Sequence, residues 1–171
     1  MAPWAFVRGA PARAISTLEL LATTIGLVVL TPGELSEPGA AGTVMVTGFT
    51  DSLVSSSVVS RGLTTSFPLC VVAMELAAQL EQRAAELFLD WAPRTMNVEA
   101  DALADGRTDG FNPALRVPVD LSKMQWLVLD RLMAAGVSFQ RKAADLKERG
   151  SCAKAPVAVR RAKSQRLRAR E

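Results

Sequence analysis

The stretch ELFLDWAPRTMNVEADALAD, Glu86–Asp105, decides how this chain is read. Leu87, Leu89 and Trp91 alternate with Phe88 and Asp90, and a period of two predicts a strand over Glu86–Trp91. APRTMN reads as a loop, and Asn97 is a favoured helix N-cap residue, so VEADALAD reads as a short helix. Working upstream, the spacing in LCVVAMELAAQLEQRAAE predicts a helix from Pro68 to about Leu80, with proline acceptable at a first helical position. SLVSSSVVSRGLTTS is serine-rich and ambiguous. TVMVTGFTDS, with Val44, Val46 and Phe49 among small and β-branched neighbours, predicts a first strand ending at Asp51. Strand, helical crossover and strand predict a parallel pair, and hence an α/β fold.

The flanks complete the organisation. LELLATTIGLVVL, Leu18–Leu30, reads as a helix whose packing face is Leu18, Leu21, Ile25 and Val28, and TPGELSEPGAAG after it is a loop. Gly106–Pro118 is loop-like. Ser122 is expected to cap a helix over KMQWLVLDRLMAAG closed by Gly136, with an apolar stripe of Trp126, Leu127, Leu129, Leu132 and Met133. Ser138 is expected to open a second helix ended by Gly150. The resulting division is a flexible segment at 1–15, an α/β domain at 16–106, a helical extension at 119–150 and a basic disordered tail at 151–171.

Composition closes off several chemistries. The 171 residues are 49% hydrophobic and 22% charged, which fits a folded domain. With no histidine, Ser-His-Asp and Cys-His catalysis and imidazole zinc sites are excluded. Cys70 and Cys152 form no CxxC pair, which suits a reducing, intracellular compartment, cytoplasmic or nuclear. The longest apolar run, 13 residues, is short of the roughly 20 that span a bilayer, so no membrane partner is expected. The N-terminus, with arginines and alanines and no acidic residue before Glu19, leaves an organelle transit peptide open.

Charge is unevenly spread. From residue 141 onward there are 11 Lys+Arg and 3 Asp+Glu, a local +8, whereas residues 1–140 carry 9 and 14, a local −5. Arg160, Arg161, Lys163, Arg166, Arg168 and Arg170 suffice for phosphate contacts. Lacking interleaved aromatics, they imply nonspecific, salt-dependent binding of nucleic acid, or a nuclear-import-like address. A solvated tail with no dedicated partner has the same composition. Cys70, between apolar neighbours, is expected to be a small core residue.

Three carboxylates occupy informative places. Glu19 lies near the start of an apolar helix, Asp51 at the carboxyl end of a strand where α/β proteins bind ligands, and Asp101 in the first turn of the helix after the second strand. Asn97, Asp101 and Asp105 are four apart and share a helical face. Each alone also has an ordinary explanation: a solvated glutamate, a turn aspartate, an acid favoured by the helix dipole.

Together they resemble the ribonuclease H-like domain of retroelement reverse transcriptases. LFLDWAPRTMNVEADALAD resembles that family's last strand and its N-x-x-A-D-x-L-A motif, filled here by Asn97, Ala100, Asp101, Leu103 and Ala104. VTGFTDS resembles the central strand ending in Thr-Asp-Ser, here Thr50-Asp51-Ser52, and STLELLA resembles the helix bearing the family's glutamate, here Glu19-Leu20. The motifs stand in the family's order and run from about Ser16 to Asp105. The resemblance implies a retrotransposon-derived hydrolase, an endonuclease cutting the RNA strand of RNA–DNA hybrids with two magnesium ions. Glu19, Asp51 and Asp101 would be its catalytic and metal-ligating residues, and an upstream reverse transcriptase domain a further partner.

The chain departs from that pattern. Only 18 residues precede Glu19 and none is acidic, whereas three strands with their turns need roughly 25, so the family's first three strands and their aspartate are missing. The family's loop histidine is missing as well. The expectation is a truncated ribonuclease H-like fold with a short, mostly parallel sheet, flanking helices and a C-terminal helical extension. Such a chain is the C-terminal part of a longer domain, or a degenerate reading frame, and is weak or inactive alone. The competing expectation is a noncatalytic helical interaction module whose basic tail binds nucleic acid nonspecifically.

Overall fold

A computed structural model describes residues 11–31 and 42–152. Its two strands, β1 (Val44–Thr50) and β2 (Ala85–Trp91), pair in parallel, with Val44 opposite Ala85 and Thr50 opposite Trp91. The expected parallel pair is therefore present, and the fold is mixed α/β. Side-chain alternation sets the faces. Val46, Leu87 and Leu89 turn inward, while Met45, Phe49 and Phe88 point out, with Phe49 76% exposed.

The crossover is two helices. The ambiguous serine-rich stretch forms α2 (Leu53–Arg61), because Ser52 Oγ accepts the Ser55 N–H at 3.2 Å and Gly62, at φ 65°, closes the other end. α3 spans Leu69–Gln82 and runs two residues beyond the expected end. It turns into β2 through Ala84, held at φ 47°, whose carbonyl accepts the Val44 N–H at 2.9 Å. Leu69, Val72 and Leu76 of α3 join Leu20 and Leu27 in the core. Each such side chain withdrawn from water contributes about 1.5–3 kcal/mol.

α1 covers Pro11–Leu30, so residues 11–15, expected to be flexible, are helical. Its packing face is also rotated from the expected one. Thr17, Leu20, Thr24 and Leu27 are buried, while Leu18 is 41% exposed. Threonines tolerate that position because they hydrogen-bond back to their own helix: Thr24 Oγ1 donates to the Leu20 carbonyl at 2.9 Å.

The largest correction concerns the C-terminal helices. No helix begins at Ser122 and none is closed by Gly136. Leu121–Lys123 is a single 3-10 turn, and one helix, α5, runs Leu129–Cys152 through Gly136, Ser138 and Gly150. The cause is a cap supplied from 52 to 54 positions away. The buried Glu75 carboxylate of α3 accepts the N–H groups of Leu127 (3.0 Å), Val128 (2.8 Å) and Leu129 (2.8 Å). Trp126 and Leu127 thus precede the helix. Trp126, Leu129, Leu132 and Met133 pack on the core, whereas Leu127 is 41% exposed.

The chain divides into two compact units, residues 1–133 and 134–171, so the boundary falls inside the extension expected at 119–150. The first holds the sheet and its helices, including the opening turn of α5. The described part of the second is the remainder of that helix. No helix among the described residues is long and apolar enough to cross a membrane.

Candidate functional site

The parallel pairing brings the ends of β1 and β2 to one edge, and Asp51 follows immediately after Thr50 there. Its backbone is tied across the sheet, since Trp91 Nε1 donates to the Asp51 carbonyl at 3.1 Å. Beyond β2, a 3-10 turn at Arg94–Met96 leads into α4 (Val98–Ala104), which carries Asp101. Asn97 stands at the N-cap position as expected, but its side chain makes no capping bond.

Arg94 is the residue that joins these acids. Its Nε donates to Asp101 Oδ2 at 3.0 Å. The Arg94 guanidinium is held above its ordinary pKa by the hydrogen bond and charge of Asp101, then by the charges of Asp51 and Asp105. Asp51 and Asp101 therefore share one electrostatic neighbourhood, centred on an exposed cation. Asp105, next along the same face, pairs with Arg107 at 2.9 Å. Exposed pairs of this kind add little stability, so their interest lies in what they do to the carboxylates.

Glu19 is half-buried on α1, and Thr23 Oγ1 donates to its carbonyl at 3.1 Å. No group of three or more Asp, Glu, Cys or His side chains among the described residues is arranged to hold a metal ion, so Glu19, Asp51 and Asp101 are not joined into one cradle. Asp51 and Asp101 are hard oxygen donors of the kind magnesium takes. Two ions bridged by several carboxylates need more donors than this edge supplies.

Arg94 was not singled out by sequence reasoning. Its place in the loop between a strand and an acidic helix was the available signal. A second group was missed as well: Glu75 and Gln79 of α3 and Arg83 at its C-cap, four apart, are 0%, 1% and 6% exposed. Polar residues repeating every four positions inside an apolar helix were the mark of a buried polar row. Cys70, by contrast, packs against the core as expected. Arg160, Arg161, Lys163, Arg166, Arg168 and Arg170 lie outside the described residues. Comparison of the chain with protein-family models, with curated proteins and with solved structures gave no match.

Proposed function

We propose that the chain is a retroelement-derived, ribonuclease H-like fragment whose ancestral reaction is magnesium-dependent hydrolysis of the RNA strand of RNA–DNA hybrids, strongly attenuated in this chain. What supports the reading is Asp51 directly after β1 at the carboxyl end of a parallel pair, and Asp101, on the helix that follows β2, paired with Arg94. The order of elements adds support. A helix bearing Glu19 precedes the strand ending in Thr-Asp-Ser, a helical crossover follows, and the second strand leads to the helix of the Asn97–Ala104 motif.

Attenuation follows from the same geometry. Arg94 pairs with Asp101, and the sheet has two strands among the described residues. A bound magnesium ion would be held by Asp51 and Asp101 and would polarise a phosphodiester. The contribution of this chain's own residues would be two carboxylates near the carboxyl edge of the sheet.

The test is cleavage of a labelled RNA–DNA hybrid by the full chain in magnesium buffer. Slow cutting confined to the RNA strand is expected, faster in Arg94→Ala and lost in Asp51→Asn and Asp101→Asn. Absence of cutting in every variant, with equal salt-sensitive binding of hybrid, duplex DNA and heparin, would replace this reading by the noncatalytic nucleic-acid-binding module.

A further inference from the structure

At the opposite end of α3 from its N-terminus lies a cleft of about 370 Å³ between α1, α3 and the segment at 118–125. Arg83 forms part of its wall and is 6% exposed. The guanidinium is fixed on one side only. Its Nη1 donates to the Gln79 carbonyl at 3.3 Å and to Gln79 Oε1. The Arg83 Nε–H is buried and has no hydrogen-bond partner among the described residues.

Among the described residues, no carboxylate pairs with this charge. Glu75, one turn further along the row, spends both oxygens on the Gln79 amide and on three backbone N–H groups. The ion pairs among the described residues are Arg94–Asp101, Arg107–Asp105 and Lys123–Asp120, and Arg83 is in none of them. The carbonyl end of α3 offsets part of the charge, as helix C-termini do. A buried cation without a paired carboxylate among the described residues is still costly, and an anion against the edge of its guanidinium would offset part of that cost.

The rest of the wall indicates what such an anion looks like. Lys123 adds a second cation, and Asp120 subtracts one, its carboxylate already engaged by Ser122 and by Lys123 at 3.4 Å. Val28 and Val29 of α1 and Val119 and Met124 of the facing segment line the remainder with apolar surface. We infer that this cleft binds a small organic anion, with a carboxylate or phosphate head against the edge of the Arg83 guanidinium that lines the cleft and a short apolar body against Val28, Val29, Val119 and Met124. The inference is independent of the carboxyl-edge site and of the nuclease reading.

The full chain, labelled for observation of arginine Nε–H signals by NMR, is titrated with octanoate, with octyl phosphate, with inorganic phosphate and with uncharged octanamide. The Arg83 Nε–H signal is expected to shift saturably with octanoate, octyl phosphate or both, and their relative strength identifies the head group. Octanamide is expected to bind about tenfold or more weakly, because a charge-assisted hydrogen bond is lost. Inorganic phosphate alone is also expected to be weaker, having no apolar body. Val29→Trp, which fills the cleft, should abolish the shift. Absence of a saturable shift with either alkyl anion overturns the proposal. Equal binding of octanamide, equal binding of inorganic phosphate, or indifference to a folded Val29→Trp does the same.

Discussion

The Glu75 carboxylate and the backbone N–H of Leu129 meet at 2.8 Å, although 54 residues separate them. Through that bond, and its companions from Leu127 and Val128, a glutamate in the middle of one helix sets where another begins. Glu75 is fully buried, yet it keeps its charge because donors surround it. Burial alone pushes its pKa up. The Leu127 N–H, the Gln79 amide and the N–H groups of Val128 and Leu129 outweigh that and hold the carboxyl below its ordinary 4.5.

Glu75→Gln should therefore destabilise the fold by about 2–4 kcal/mol, since an amide offers one acceptor where a carboxylate offers two and brings donors against donors. Urea denaturation at neutral pH measures it. The pH dependence has a definite sign. A carboxyl with a depressed folded pKa contributes stability above its unfolded value, near 4.5, and that contribution disappears as pH falls through the lower folded value. The wild-type chain should lose this increment below pH 4.5, and Glu75→Gln should lack that part of the slope.

Ala84 turns α3 into β2 at φ 47°, a left-handed conformation that a side chain resists. Ala84→Gly should stabilise the chain by about 0.5–1 kcal/mol, because relief of about 1–2 kcal/mol of strain exceeds the added unfolded-state entropy of about 0.4–1 kcal/mol. A rise in the urea midpoint with an unchanged slope checks this. A fall would show that the turn relaxes at no cost.

Packing makes a contrasting pair of expectations. Leu20 is fully buried, so Leu20→Ala should cost about 2–5 kcal/mol. Phe49 is larger but 76% exposed on the outer sheet face, and Phe49→Ala should change stability by no more than about 0.5 kcal/mol. Denaturant titrations of both variants compare the two directly. A large loss for Phe49→Ala would mean that its face is covered in solution.

Both strands were legible in the sequence because alternation is a local signal, and residues 44–50 and 85–91 have little else to form. The serine-rich stretch was not legible. Ser52 and Gly62 supply a start and a stop for α2, but Val54, Val58 and Val59 favour strand as readily as helix, and packing decides. The rotated face of α1 escaped because threonine counts as polar until its hydroxyl bonds to the preceding turn. The start of α5 escaped for a different reason. Ser122 and Gly136 are good local punctuation, but a cap from Glu75 outweighs both, and no short window contains it. At the site, Asp51 and Asp101 were readable from their places after strands, whereas Arg94 offered only its place in the loop before an acidic helix, and its pairing with Asp101 emerged from the fold.

Arg94 makes the central claim testable without catalysis. If Asp51 and Asp101 face one cation-binding place, a divalent ion there competes with the guanidinium, and Arg94→Ala should lower the concentration needed by about three- to tenfold at modest ionic strength.

The most direct measurement is a titration of the isotope-labelled full chain with manganese(II), which stands in for magnesium and broadens nearby amide signals. The account expects the signals of Asp51 and Ser52 and those of Asp101 and Ala102 to broaden together over one concentration range, and at lower manganese in Arg94→Ala. Broadening of one group without the other, or of neither in Arg94→Ala, would contradict it.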